Sequence, residues 1–460
     1  MLSDAGLTLL ALSAGLAACR GPETDPADPG PPALVTPMMA QSAIVGVAFS
    51  IDATSDGALF SGRNLVYGVA LSPPTRGLTT ANGQIAGVPT STGVVRATVT
   101  ATDDVGRAGL HTFPIAVFAA GLKTPVLPAT PFLYTDAASP LPPHFVNGGP
   151  GGAVVATDNT PPHNPTTDQG AALGRVMFYD TRLSANDKTA CASCHIQARG
   201  FADTAIKSAG FLGGRTGRHS PGLANARFYQ RGRFFWDERA ATLEAQALMP
   251  IQDPVEMGLS LADLEAKLSA TAFYAPLFAA AFGSPDVTAD RVSRAIAQFV
   301  RSLKSTQSRF DASFGPNGTP LPPLEPQGQQ LFNGPAGCSP CHANNAQVSD
   351  NVHNTGLDSV ITDVGAGNGR FKSPSLRNVG ARGPYMHDGR FATLQQVVAF
   401  YDTGVNANPG LDGRLRNPGD TTVKRLSLTP AQRSALVAFL HTLTDSTFLK
   451  APRFANPFPP

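Results

Sequence analysis

Two textures of hydrophobic and polar positions divide the chain. Between residues 65 and 118, apolar residues recur at every second position in LVYGVAL, GQIAGVPT, VVRATVTATDD and HTFPIAVF, with Gly, Pro and Asn between the runs. A period of two in β-branched residues predicts short strands that each bury one face. Several in succession predict a small β-sandwich over residues 36–118. From about residue 165 the period lengthens. QGAALGRVMFYD, SLADLEAKLSATAFYAPLFAAAF, ADRVSRAIAQFVRSLKS and LTPAQRSALVAFLHTLTD place apolar residues three and four apart, which predicts helices. In the last of these, Thr429 is a helix cap and Pro430 the first helical residue.

Stretches without either period separate these regions. RGPETDPADPGPPALV, in residues 19–35, is a Pro-rich tether that cannot bury a core. Residues 119–165 read as a second linker, and GPNGTPLPPLEP, from 315, breaks the helical part into halves at 166–314 and 315–460. The 46 glycines and 41 prolines agree with many loops. Net charge is +2 with 15% charged residues and no basic block, which argues against a nucleic-acid partner. At the start, Leu7–Ala18 is an apolar run too short to span a bilayer. It suits a signal peptide over residues 1–18. Leu16-Ala17-Ala18-Cys19 resembles a bacterial lipoprotein cleavage site, although Asp4 and the lack of Lys or Arg before the run depart from the pattern. The expectation is an exported protein, periplasmic or held at the outer membrane or cell surface by lipid on Cys19. ANGQIAGVPTSTGVVRATVTATDDVGRAG resembles bacterial immunoglobulin-like repeats, so residues 36–118 are expected to be an Ig-like spacer or interaction module.

The cysteines carry the chemistry. Four of the five form two CxxC pairs, each followed by histidine: Cys191, Cys194 and His195 in CASCH, and Cys338, Cys341 and His342 in CSPCH. A zinc site from both pairs would leave both histidines over. A thiol redox pair would sit in a βαβ context that the pattern lacks. Two thiols joined to the vinyl groups of one haem, with the next histidine on the iron, use every residue of the motif. The spacing therefore predicts two covalent haem c groups, with His195 and His342 as iron ligands, each in a mostly helical, cytochrome c-like half.

LSANDKTACASCH, RHSPGLANARF, FFWDERAATLEAQALMPIQDPVEMG, FKSPSLRNV and GPYMHDGRFATLQQVV resemble the bacterial di-haem cytochrome c peroxidases, MauG-like branch, over roughly residues 165–447. The resemblance implies a peroxidase-type oxidoreductase in which the first haem has an open site for hydrogen peroxide and the second relays electrons. It places Trp236 between the haems, and Gln246 and Glu256 over the first one. A positioned carboxylate can move a proton from the inner to the outer peroxide oxygen. On the residues alone, Glu256 could equally be a solvated acid and Trp236 a core residue. The resemblance also marks Arg377 and His387 as cofactor-contacting. Its electron donor is expected to be a small cytochrome, a copper protein, or a residue of a protein substrate.

Three positions depart from the peroxidase pattern. Fourteen residues after His387, where peroxidases of the family have a methionine ligand to the second iron, stands Tyr401. The MauG-like branch has tyrosine there, and a phenolate favours higher oxidation states. Met386 is the competing ligand. The family's interdomain calcium corresponds to the backbone of His219, Arg382 and Pro384, with His219 in place of the usual asparagine. Phe211 stands where the peroxidases carry a switchable histidine, which implies a first haem open without reductive activation. Plain electron transfer by a surface cytochrome is the competing function.

Overall fold

A computed structural model describes residues 29–55, 57–74, 76–149, 151–348 and 351–460. The expected signal peptide, Cys19 and the tether up to residue 28 lie outside the described residues.

The N-terminal part is a β-sandwich. Strands β1 (Ala33–Leu34), β2 (Gln41–Ile44), β3 (Phe49–Asp52), β4 (Phe60–Ser61), β5 (Val66–Ser72), β6 (Leu78–Ala81), β7 (Gln84–Gly87), β8 (Gly93–Thr102) and β9 (Ala108–Phe118) follow in order. One sheet runs β2-β9-β8-β5 and the other β3-β7-β6, with β1 and β4 paired apart. The period of two explains the core. Val95, Ala97, Val99 and Ala101 of β8 are buried while Arg96, Thr98 and Thr100 are not. They meet Ile85 and Leu78 of the facing sheet. All four alternating runs are strands. The first four strands are two to four residues long, too short to show a period.

The rest is helical: α1 (Asp168–Tyr179), α2 (Leu243–Gln252), α3 (Leu261–Ser269), α4 (Tyr274–Phe282), α5 (Ala289–Ser302), α6 (Leu324–Asn333), α7 (Leu394–Ala399) and α8 (Pro430–Thr442). Thr167, Thr288 and Thr429 cap α1, α5 and α8 by accepting N–H groups of the first turn, as the sequence of α8 predicted. Both halves are built on one device. α1 crosses α5 at Gly174, where a Cβ would collide with the Ala295 carbonyl and crowd Phe299. α6 crosses α8 at Gly328, where a Cβ would collide with the Ala435 carbonyl and crowd Phe439. Such close crossings bring backbones together and leave the flanking apolar faces to wall a cofactor.

The boundaries differ from the sequence expectation in two places. Residues 119–165 lack regular periods, yet they are packed. Phe145 and Val154 are fully buried, in one cluster with Phe228, Tyr229, Ala346 and Val348 from both halves. Asp136 adds ion pairs to Arg227 and Lys304. The C-terminal tail also returns: Phe448 and Phe454 belong to the core of the first half, against Phe201 and Phe299. The sandwich joins the first half near a fully buried ion pair, Lys267 with Asp187. The other Asp187 oxygen accepts the Ala119 N–H at 2.9 Å.

Two cavities with a shared wall

The first CxxCH lies on a helical turn, Cys191–Cys194, that ends at His195. The His195 ring is oriented by Nδ1, which is 2.7 Å from the Phe201 carbonyl. That bond fixes the tautomer and leaves Nε2 for a metal. His195 lines a cavity that Gln246, Glu256, Arg239 and Trp236 also line. Gln246 rides on α2. Glu256 follows the end of that helix, where the Asp253 carboxylate accepts the N–H groups of Val255 and Glu256 at 2.8 and 3.1 Å. Burial, then the nearby Asp253, pushes the Glu256 carboxyl above its usual range, against a smaller pull from Arg239. A raised carboxyl on a cavity wall suits proton transfer near neutral pH. Phe211 is tied to the same segment, its N–H donating to the Glu256 carbonyl at 3.0 Å.

The second cavity is lined by Cys338, Cys341 and His342, and also by Tyr401, Met386 and His387. Tyr401 sits in a π-helical turn, Phe400–Gly404, that extends α7. Such turns re-aim a side chain and recur at functional sites. Burial raises the Tyr401 phenol above its ordinary range. Its ligating form, the phenolate, therefore calls for a cation at the oxygen. Both candidate ligands, Tyr401 and Met386, reach this cavity. His195 lines the first cavity, and Cys338, Cys341 and His342 line the second, each beside its candidate residues. Burial pushes the thiols of Cys191 and Cys338 to about 12, as enclosed sites require. This donor set fits a covalent haem in each cavity.

The cavities share a wall. Trp236, His219, Pro221, Gly222 and Lys372 line both. Backbone bonds stitch it: His219 N–H to the His387 carbonyl at 2.8 Å, and Lys372 N–H to the Trp236 carbonyl at 2.7 Å. The Trp236 indole N–H donates to the His219 carbonyl at 2.6 Å. The His387 ring stacks on Phe371 at 3.6 Å between centroids and lies edge-on to Trp236 at 6.3 Å. Arg218 clamps the outside, paired with Asp237 and Asp363 at 2.6 and 2.7 Å.

Arg377 lines neither cavity. It is fully buried, and its guanidinium is engaged with Asp311, Ser308, Gln347 and the Asn345 carbonyl. Of the positions expected to hold calcium, the His219 carbonyl accepts the Trp236 indole N–H, and His219, Arg382 and Pro384 all line the second cavity. Lys372 was not singled out from the sequence. Burial draws its ammonium down to about 7. Only its position on both cavities reveals it, and no local motif carries that signal.

These features define a c-type haem protein with two linked centres. Residues 168–317 match the di-haem cytochrome c peroxidase family and residues 326–444 match cytochrome c. The methylamine utilization protein MauG of Methylorubrum extorquens is 36% identical over 294 residues, which cover 62% of this chain and 80% of that protein. The cytochrome c551 peroxidase of Nitrosomonas europaea is 32% identical over 317 residues, covering 65% and 89%. A solved MauG-like protein associated with microbial copper homeostasis is similar with a TM-score of 0.58 and 33% identity, over 65% of this chain and 96% of that one. The diheme peroxidase BthA from Burkholderia thailandensis is similar with a TM-score of 0.54 and 25% identity, over 73% and 99%. This chain belongs to the di-haem cytochrome c peroxidase family, and it is a peroxidase-type oxidoreductase of haem c.

Proposed function

We propose that this protein uses hydrogen peroxide in the cavity of His195, Gln246 and Glu256. Oxidising equivalents then pass through Trp236 to the second centre. The observation that carries the reading is a half-buried, raised carboxyl and an amide on the same cavity as His195, with Trp236 in the wall beyond. Haem at His195 would supply the iron that binds peroxide and accepts its oxidising power. Glu256 takes the proton from the inner peroxide oxygen and returns it to the outer one, which leaves as water. Gln246 orients the bound oxygen pair by hydrogen bonding. Trp236, with its N–H held by the His219 carbonyl, offers an aromatic ring between the centres. Tyr401 and His342 would hold the second haem iron, and the phenolate would favour its oxidised states. Electrons come from a small cytochrome, a copper protein or a side chain of a protein substrate. The protein works outside the cytoplasm, anchored through lipid on Cys19, with residues 36–118 as a spacer.

The test is Glu256→Gln in the haem-loaded protein. Both haems stay attached, and the rate of reaction with peroxide in stopped-flow falls by roughly 10²-fold or more. Glu256 acts as a base in its first step. The wild-type rate therefore rises with pH through a carboxyl value above the ordinary one, and the variant is flat there. A variant that reacts at the wild-type rate removes Glu256 from the mechanism.

A further inference from the structure

The wall between the cavities holds two cations that no carboxylate pairs with among the described residues. Arg382 is 9% exposed and lines the second cavity. Its guanidinium packs on Gly222, where a Cβ would collide with Nη1, and it donates to the Ser375 carbonyl. Lys372 lines both cavities, with Nζ 4.4 Å from the ring centroids of Tyr229 and of Phe234. It donates to the Arg233 carbonyl at 3.3 Å. Among the described residues neither cation has a carboxylate in ion-pair reach. The acid beside Lys372, Glu238, is held by Arg231 at 2.8 Å. A third cation, Arg199, donates to the Gly383 carbonyl at 3.1 Å.

Buried cations are costly unless an anion meets them. A calcium ion needs the reverse: six to eight oxygens, usually with carboxylates among them. Here the carbonyls of His219, Ser375 and Gly383 already accept N–H groups, and a divalent ion would face guanidinium and ammonium groups across a low-dielectric wall. The anion that matches this donor set is a carboxylate, and each haem carries two on its edge.

We propose that Arg382 and Lys372 neutralise haem carboxylates at the wall between the two centres, and that this wall binds no divalent cation. The inference rests on haem in both cavities and not on peroxide chemistry. Its readouts are metal content and midpoint potential, so it stands or falls separately from peroxide turnover.

The haem-loaded wild type is exchanged into calcium-free buffer and analysed for metals, then titrated electrochemically with and without chelator. No stoichiometric calcium is expected, and the spectrum and both potentials should ignore the chelator. In Arg382→Gln and Lys372→Gln, loss of a cation beside a haem lowers a midpoint potential, and Arg382→Lys keeps most of the wild-type value. One calcium per chain whose removal alters the haem spectrum overturns the proposal. So do wild-type potentials in both Gln variants. The metal analysis of the wild type decides the calcium half even if a variant fails to fold.

Discussion

Replacing Arg377 by methionine separates two roles for that residue, cofactor contact and internal keystone. In the structure its Nε donates to Gln347 at 2.8 Å, and Nη2 to Asp311 at 2.8 Å. Nη1 reaches Ser308 at 3.1 Å. The guanidinium lies over the rings of Phe145 and Phe310 at 5.5 and 5.1 Å, so it ties residues 119–165 to the second half. Burial alone would raise the Asp311 carboxyl, but Arg377, His144 and Ser308 together hold it below the carboxylate range. Arg377→Met leaves that carboxylate buried with only His144 and Ser308 as partners. Breaking such a pair costs about 3–5 kcal/mol. At roughly 2–4 °C per kcal/mol for a unit of this size, Tm should fall by about 6–20 °C. The pH dependence has a definite sign. A carboxyl depressed in the folded state stabilises above its unfolded value, about 3.9, and loses that contribution as pH falls through the folded value. The deficit of the variant is therefore full at neutral pH and shrinks in acid below about 4. The Arg377→Met/Asp311→Leu double variant should recover part of the loss, because no lone charge remains. Thermal unfolding by circular dichroism reads this, with the Soret band followed alongside. An unchanged Tm with a shifted Soret band and potential would show that the guanidinium reaches the haem, and the structural reading would be wrong.

Tyr401→Phe should change the ferric spectrum and redox titration of the second haem, and Tyr401→Met should raise its potential; a wild-type methionine-type near-infrared band that survives Tyr401→Phe would give the ligand to Met386. Trp236→Phe should keep both haems while slowing oxidation of the second centre after peroxide reacts at the first, as followed by stopped-flow; equal rates would remove the ring from the path. Gly174→Ala should cost about 1–3 kcal/mol through overpacking at the crossing with Ala295, a drop of about 2–12 °C in Tm, and wild-type stability would mean that α1 and α5 are free to separate.

What was legible depended on how local the signal was. β8 was legible because its alternation is also its burial pattern. α8 was legible because its cap, its proline and its period all fall within a few residues. The two CxxCH motifs were legible because the attachment chemistry is local. The packed stretch 119–165 was not, since Phe145 and Val154 are single apolar residues in Pro- and Gly-rich sequence and bury against partners about 75 to 200 residues away. The returning tail was missed for the same reason: Phe448 and Phe454 fill the core of a half that ends far earlier in the chain. For Arg377, the motif tells that an arginine matters without telling what its guanidinium meets. Resemblance carried Glu256, Gln246 and Trp236 to one cavity, which spacing alone would not have done.

The shared wall shows how the fold holds Trp236 in place. Four separated stretches build the wall: 219–222, Trp236, 371–375 and 382–387. Three of its fixing bonds use main-chain atoms, from His219 N–H to His387, from Lys372 N–H to Trp236, and from the Trp236 ring to the His219 carbonyl. A main-chain carbonyl is offered by any residue, so His219 can stand in place of asparagine without moving the indole. The side chains of the wall are then free to change the charge between the centres while the distance between them stays fixed. In this chain the wall carries two cations, Lys372 and Arg382. The fold thus separates two variables. On the function proposed above, backbone stitching sets how far oxidising equivalents would travel, and side-chain charge which centre would hold them.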